Sequence, residues 1–358
     1  MVQLSRAPVG ASSYQMCLRE LTQRDTLSKF PAFRSMQNPA VDLMHCRATD
    51  ATDACCARSG ARRTSSRRAL HLALGALLAC SWSALAHAEW LFDLDAGARH
   101  ESNASRAQEQ ADIRSDTAAT LFASAGYFFA LSGADGLTIA VNAATETWYR
   151  FQGLNLVSIG GAASYKHKFG LGYAAPWISL GLSGSHDDYR ESIRDSNRIE
   201  ARAEAGQRFS EAFDASFGAV YDRRFARNDR PVVPNISGRV FDVQGKSAFA
   251  RAGYALTDQL QAGASFTVRR GGVVSTTRQH LNIFLESDAI AADPAFGDEF
   301  FAYRLSGKST TKTAAVTLSW ALSNRSSLNL RFADERTSAG EGLDYRGRIG
   351  ALSFAYSY

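Results

Sequence analysis

The chain has 358 residues and a formal net charge of +5 at pH 7. Residues 1–88 hold 11 of the 40 Lys and Arg but only 5 of the 35 Asp and Glu, so they carry +6 and the remainder −1. Residues 89–358 therefore lack the basic balance of a nucleic-acid surface, and we expect no nucleic-acid partner. All five cysteines precede Glu89, which excludes a disulfide framework, a thiolate metal site and a catalytic cysteine after it.

The N-terminal part divides into two segments. Residues 1–66 show no sustained period, and we expect a disordered extension or an over-long start, with Met44 as a possible true start. Residues 67–88 have two arginines, an apolar run over 69–79 and the sequence Ala86-His87-Ala88, which predicts a signal peptide cleaved between Ala88 and Glu89. The alternative is lipidation of Cys80. The apolar run is too short for a membrane-spanning helix of about 20 residues.

From Trp90 onward, apolar residues recur at every second position, which is the period of a β-strand. In one segment Ile199 and Ala201 alternate with Arg198, Glu200 and Arg202. The pattern predicts about twelve strands, near residues 90–99, 116–129, 137–146, 157–169, 178–183, 198–209, 213–222, 240–254, 260–270, 303–321, 327–335 and 345–358.

The predicted connections alternate between short and long. Short ones fall at 132–136, 210–211, 257–258 and 323–325, and long ones at 101–111, 187–197, 226–239, 271–301 and 336–344; residues 152–155 are a short exception. This spacing predicts an all-β protein, a transmembrane antiparallel up-and-down β-barrel formed by residues 89–358. A water-soluble β-sandwich is the alternative, but its core is rich in large aliphatic residues, whereas the apolar face here is mostly Ala with aromatic ends.

The last predicted strand ends with aromatic residues at alternate positions, Phe354, Tyr356 and Tyr358. With the signal peptide and the cysteine-free region, this pattern resembles Gram-negative outer-membrane proteins over about three quarters of the chain. The resemblance implies export through the periplasm and a location in the outer membrane, in contact with its lipid and lipopolysaccharide. It also implies that the barrel-assembly machinery recognises Phe354, Tyr356 and Tyr358, although that family usually ends in Phe.

Charged residues of both signs occupy the predicted inner face of the barrel. The candidates are Asp93, Asp95, Arg99, Arg198, Glu200, Arg202, Glu204, Arg208, Asp222, Arg224, Arg251 and Arg269. Two interpretations stay open: the charges line a narrow aqueous pore or export channel for small polar or anionic solutes such as saccharides, or they pair across strands and plug the barrel. The long segment 271–301 either constricts the mouth or is an ordinary surface loop.

Aromatic residues near the predicted strand ends indicate the girdles that flank the apolar band of such barrels. They are Trp90, Trp148, Tyr149, Trp177, Trp320, Tyr356 and Tyr358.

The sequence His100-Glu101-Ser102-Asn103 resembles the His-x-Ser-Asn motif of outer-membrane phospholipase A and the similar motif of lipid A deacylases. The resemblance implies a lipid hydrolase in which His100 is the base for the Ser102 nucleophile. The motif is short, and it lies on the first strand rather than on a later one. No metal-binding cluster or phosphate-binding motif occurs, so we expect no metal and no cofactor. A structural or secretion-assembly barrel is a further alternative to the non-enzymatic pore that we favour.

Overall fold

The computed structural model describes residues 88–170, 172–306, 309–340 and 342–358. The extension 1–66, Cys80 and nearly all of the predicted signal peptide lie outside these residues. Cleavage between Ala88 and Glu89 stays a prediction, and Ala88 is the first residue of the first strand.

Twelve antiparallel strands form a closed barrel, in which each strand pairs with the barrel strands that precede and follow it in the chain and the last pairs with the first. The strands are β1 (Ala88–Glu101), β2 (Asp116–Ala130), β3 (Asp135–Trp148), β4 (Leu156–Lys168), β5 (Trp177–Tyr189), β6 (Ser196–Arg208), β7 (Phe213–Ala226), β8 (Val243–Ala255), β9 (Leu260–Gly271), β13 (Thr310–Ser323), β14 (Ser326–Ala339) and β15 (Leu343–Ser357). The barrel closes between β1 and β15, where Leu94 lies opposite Tyr356. Closure leaves no unpaired strand edge. The predicted fold class and strand number are confirmed.

The outer wall of the barrel is apolar. Because side chains on a strand alternate between faces, one set points away from the barrel axis. That set exposes large apolar side chains on most strands, among them Phe92, Leu121, Val141, Ile159, Leu182, Phe217, Phe266, Val316, Phe332 and Leu352. An exposed apolar surface of this extent is typical of a protein whose outer wall contacts lipid. It excludes the alternative of a water-soluble β-sandwich.

The two ends of the barrel differ. At one end, named here the turn end, the connections are 131–134, 169–176, 209–212, 256–259 and 324–325. At the other, the loop end, they are 102–115, 149–155, 190–195, 227–242, 272–309 and 340–342. The prediction of a long loop over 336–344 is wrong. Pairing continues to Ala339 and Leu343, and Gly340 and Gly342 make the tight turn with φ of +61° and +77°.

The longest connection has its own secondary structure. It contains β10 (Val273–Thr277), the helix α1 (Leu281–Glu286), β11 (Ala289–Ala292) and β12 (Phe301–Leu305), and the three strands form a small sheet in the order β10–β12–β11. The predicted strand 303–321 is therefore wrong at its start. Residues 303–305 alternate as a barrel strand does, but they pair with β10 and β11. No helix in the described part of the chain is both long and apolar enough to cross a membrane.

The hydrophobic core lies at the loop end, inside the ring of strands. It joins the small sheet to the loops and to inward-facing residues of the barrel, including Trp148 of β3, Val243 of β8 and Tyr345 of β15. All five residues of β10 are buried. We name the folded segment 272–309, with the loops packed on it, the plug. Of the two alternatives for segment 271–301, a constriction of the mouth or an ordinary surface loop, this burial favours the constriction.

Candidate functional site

A buried ion pair lies at the centre of the plug. Arg194, in the loop between β5 and β6, donates through Nη2 to the carboxylate of Asp293, and both side chains are almost completely buried. Thr276 Oγ1 donates to the same carboxylate at 3.0 Å. The rings of Phe241 and Phe296 lie 4.9 and 5.5 Å from the guanidinium carbon. The pair is thus enclosed by apolar groups, where removing one partner is costly.

A second buried carboxylate joins the first loop to the longest one. Asp112 is fully buried and accepts hydrogen bonds from the Thr277 hydroxyl and from the backbone and side chain of Arg278, and its Oδ2 lies 2.7 Å from His280 Nε2. Burial alone raises the pKa of Asp112, but these hydrogen bonds outweigh it and lower that pKa to about 2. Burial, with the nearby Asp112 charge, raises the pKa of Tyr303 to about 12.

Further contacts fix the plug to the barrel wall. The backbone N–H of Thr276 donates to the carbonyl of Ser105 at 2.9 Å. Arg224 of β7 donates through Nη2 to the carbonyl of Arg194. Arg106 forms an ion pair of 3.2 Å with Glu335 of β14. Several separate strands and loops therefore hold the plug in the mouth.

Below and beside the plug, predicted inner-face charges pair across intervening strands. Arg269 of β9 contacts Asp222 of β7 at 2.7 Å, and its guanidinium lies over Gly245 of β8, where a Cβ would be 2.4 Å from it. Arg99 of β1 contacts Glu146 of β3 at 3.0 Å. Such pairs, each spanning a third strand, require the side chains to share one face of the sheet.

The β6–β8 wall carries a cluster of charged and aromatic side chains. Glu204 contacts Arg202 at 2.9 Å and Arg251 at 3.8 Å, and it accepts a hydrogen bond of 2.8 Å from Ser216. The guanidinium carbons of Arg202 and Arg251 lie 4.4 and 4.7 Å from the ring centroid of Phe249. We name these five residues the arginine cluster. It offers guanidinium donors, a carboxylate and an aromatic ring to a polar solute.

The remaining inner-face candidates also have polar partners or neighbours. Arg198 contacts Asp187 at 2.6 Å, and Arg224 donates to the Ser196 hydroxyl at 2.8 Å. Asp95 accepts a hydrogen bond of 3.0 Å from Ser353 and Asp93 one from Ser357. Arg208 lies opposite Asp214, and Glu200 opposite Asp222. The structure brings most of these predicted residues into a paired network on the inner face, which bears out the cross-strand pairing. That they line an aqueous pore stays a prediction.

His100 and Ser102 give the hydrolase hypothesis no support. His100 is exposed on the outward face, and its Nδ1 lies 3.0 Å from the hydroxyl of Thr117. Ser102 lies just beyond β1, and its Oγ accepts a hydrogen bond of 2.8 Å from the backbone N–H of Arg348. The described contacts do not couple the histidine to the serine in the way that general-base catalysis requires.

The seven aromatic residues predicted for the girdle differ in exposure. Tyr356 is half-buried on the outward phase of β15, whereas Trp177 has the inward phase of β5, with its ring centroid 4.9 Å from Lys166 Nζ, so its assignment to the girdle is wrong. Trp90, Tyr149, Trp320 and Tyr358 are exposed, as a girdle requires. Trp148 is 1% exposed and belongs to the core of the plug, so its assignment to the girdle is wrong. Trp148 lies two residues after Glu146 on β3, so its side chain points to the same, inward face of the barrel. This alternation is the sequence signal that distinguishes Trp148 from the exposed Tyr149.

Sequence patterns missed the plug residues Asp112, Arg194, Asp293 and Phe241. They lie in loops, where no periodicity marks them, and their neighbours come from distant parts of the chain. Within the described residues, no group of three His, Cys, Asp or Glu side chains is arranged to hold a metal ion.

The closed barrel, its apolar outer wall and its charged interior define a transmembrane β-barrel. No protein-family model matches the chain, and no curated protein matches it. Among solved structures it is similar to an outer-membrane channel from Pseudomonas putida F1, at 10% identity and a TM-score of 0.49, over 75% of this chain and 95% of that one. It is also similar to the NanC porin, at 7% identity and a TM-score of 0.40, over 74% and 98%. A third is the KdgM porin in complex with disordered oligogalacturonate, at 11% identity and a TM-score of 0.40, over 74% and 99%. At these identities the likeness is one of fold.

Proposed function

We propose that this protein is a narrow outer-membrane pore for small polar or anionic solutes, such as saccharides, with a folded plug in its mouth. The arginine cluster on the inner wall of the closed barrel carries the proposal. Charged groups inside a barrel must be paired or hydrated. Here they are paired and only partly buried, so the wall can exchange hydrogen bonds with water or with a passing solute.

Arginine suits this role because its planar guanidinium presents five donors in a fixed geometry that matches carboxylate and hydroxyl oxygens. Arg198, Arg202, Arg208, Arg224, Arg251 and Arg269 all lie on β6 to β9. This sector of the wall therefore favours oxygen-rich solutes. Twelve strands enclose less space than a sixteen-strand porin and more than an eight-strand barrel, which limits the pore to small solutes.

The orientation belongs to the same proposal. Short turns face the periplasm and longer loops face the outside in outer-membrane barrels, so the loop end and its plug are extracellular. Export by the signal peptide, recognition of Phe354, Tyr356 and Tyr358 by the barrel-assembly machinery, and contact with lipid and lipopolysaccharide complete this part of the proposal. Phe354 is exposed on the strand that closes the barrel, and the exposed Tyr358 directly follows that strand.

Planar-bilayer conductance tests the pore. Refolded protein is added to a bilayer separating unequal KCl concentrations, and the reversal potential is compared between the wild type and Arg202→Glu. We expect discrete steps in current, and a shift of selectivity toward cations in the variant, because the change removes a positive charge from the inner wall and adds a negative one. The matched control is Arg230→Glu, which makes the same change of charge in an exposed loop. A correctly folded wild type without current overturns the proposal, as does an equal shift in both variants.

A further inference from the structure

The strongest feature that the pore does not use is a row of cations on the outer wall of the barrel near the loop end. Lys312 lies directly opposite Arg336, and Arg336 directly opposite Arg346. Next to them, Lys246 lies opposite Arg270. These side chains are exposed, and they alternate with inward-facing residues, so they point away from the barrel axis. We name these five residues the cationic row.

The cationic row is confined to one sector. It lies on β8, β9, β13, β14 and β15, within the four strand residues next to the loop end. On the other side of the barrel, the last outward positions of β2, β3 and β4 carry Thr117, Thr147 and Val157. The arrangement is thus a property of this sector and not of the whole rim.

Such a row costs stability unless something neutralises it. Residues directly opposite each other on antiparallel strands have Cβ atoms about 5 Å apart, and like charges there are destabilising. Asp334 supplies partial relief, because it contacts Arg336 and Arg346 at 3.0 Å each and Arg348 at 4.0 Å.

Three of the cations in the row have no such neutralising contact with a carboxylate among the described residues. Lys246, Arg270 and Lys312 form no ion pair with any other residue that the structure describes. The cationic row is therefore left with more positive than negative charge.

The row borders a depression that a head group can occupy. The depression has a volume of about 720 Å³. Its lining includes four cations, Arg270, Lys312, Arg336 and Arg346, against one carboxylate, Asp344, together with the hydroxyl-bearing Thr310 and Ser338. Four cations and nearby hydroxyls around one open space are the donors that phosphate oxygens accept.

The surface next to the row, toward the turn end, is apolar. Ala314 lies opposite Phe266, and Val316 opposite Phe332. Phe266, Val316 and Phe332 are each half or more exposed on the outer wall. Cations beside an apolar surface match a lipid whose phosphates lie at the interface and whose acyl chains lie against the barrel. A free phosphate ion would gain nothing from contact with this apolar surface.

We propose that the cationic row and its depression bind a multiply phosphorylated lipid of the extracellular leaflet, one lipid with at least two phosphate groups. The proposal rests on the outer-membrane location given above. It does not depend on whether the barrel conducts, and conductance is measured separately, in bilayers of uncharged lipid.

Binding to the refolded barrel in an uncharged detergent is measured by native mass spectrometry and by thermophoresis. The probes are bisphosphorylated lipid A, the same lipid with one phosphate, the phosphate-free lipid and inorganic phosphate. We expect affinity to fall in that order and to weaken as salt concentration rises. Equal affinity for the bisphosphorylated and the phosphate-free lipid overturns the proposal. Competition by inorganic phosphate at the concentration of the lipid also overturns it, because the site is then one for the free ion.

The variant Lys312→Gln/Arg336→Gln tests the residues. Each basic residue near an anionic surface contributes about 1 kcal/mol, so removing two weakens binding by about tenfold or more. The matched control is Arg230→Gln/Arg239→Gln, which removes two exposed loop arginines and leaves binding within about twofold. Heat-dependent mobility in gels verifies that each barrel has folded, and Lys246→Gln/Arg270→Gln is the second test pair. Wild-type affinity in both pairs contradicts the assignment.

Discussion

Arg194 and Asp293 are 99 positions apart in the sequence, and they form an ion pair that is sealed inside the plug. Arg194 comes from a loop between two barrel strands, and Asp293 from the segment that forms the small sheet. The pair therefore links the small-sheet segment to the loop that connects β5 and β6.

Replacing Arg194 by Ala is expected to loosen the plug. The change leaves the Asp293 carboxylate buried, with Thr276 as the one donor to it among the described residues. Breaking a buried pair in this way costs about 3–5 kcal/mol. Limited proteolysis of the folded protein measures the effect as faster cleavage within 272–309. Arg230→Ala, which removes a mostly exposed arginine, is the control and leaves the cleavage rate unchanged.

The double variant Arg194→Met/Asp293→Leu separates the charge from the packing. Because it removes both charges and keeps the volume, we expect it to recover most of the resistance to protease. An Arg194→Ala protein as resistant as the wild type contradicts the structural role of the pair.

The Asp112 contacts predict how the plug responds to acid. Because the pKa of Asp112 in the folded protein is about 2, below the ordinary 3.8, its contribution to stability is fully present above pH 3.8. That contribution is lost as the pH falls through about 2. Pepsin, which is active in acid, is expected to spare residues 272–309 at pH 4 and to cleave them at pH 2.

The variant Asp112→Asn tests the cause of this acid response. It removes the charge that Arg278 and His280 contact, so we expect pepsin to cleave the plug already at pH 4. Asp298→Asn, at an exposed position of the same segment, retains wild-type behaviour. Equal cleavage of both variants at pH 4 would falsify the assignment of the acid response to Asp112.

Gly245 predicts a packing effect on the inner wall. A Cβ at this position would lie 2.4 Å from the Arg269 guanidinium, so Gly245→Ala pushes that group away from Asp222. We expect a loss of about 1–3 kcal/mol in the free energy of unfolding, measured in urea with the protein in lipid. Gly184→Ala on β5 is the control, because the nearest atom to its Cβ would be 3.6 Å away. Equal losses in the two variants contradict this account.

The hydrolase hypothesis predicts release of fatty acid that depends on Ser102, and the structure predicts none. The Ser102 hydroxyl is held by the backbone of Arg348, and His100 by Thr117. Purified wild type and Ser102→Ala, assayed against phospholipid and lipid A in detergent, are expected to give the same background. Release that disappears in Ser102→Ala returns catalysis to consideration.

The sequence predicted the barrel well because alternation is a local property. The alternate positions of Ile199, Ala201 and Ala203 identify the outward face of β6 from the sequence of that strand alone. The plug was not predicted, because its burial depends on contacts between distant segments. Val273–Thr277 is short and does not alternate, and all five of its residues are buried, so its sequence does not reveal a partner. Residues 303–305, in contrast, have the same pattern as a barrel strand.

For the inner-face charges, too, the sequence predicted the local property and not the contacts between strands. Strand phase placed Arg202, Glu204 and Arg251 on one face, which requires only the period of two. Their pairing could not be predicted, because it depends on the stagger between neighbouring strands. Arg269 reaches Asp222 across β8 only because a glycine, Gly245, lies between them.

The central claim, a pore with a plug in its mouth, is tested most directly by removing the plug. Residues 273–308 are replaced by Gly-Ser, which fits because Gly271 and Ser309 are already joined by a backbone hydrogen bond of 3.1 Å and β9 pairs with β13. We predict that the shortened barrel conducts several-fold more than the wild type in planar bilayers. Equal conductance of the two folded proteins, or no current from the shortened one, would contradict the account.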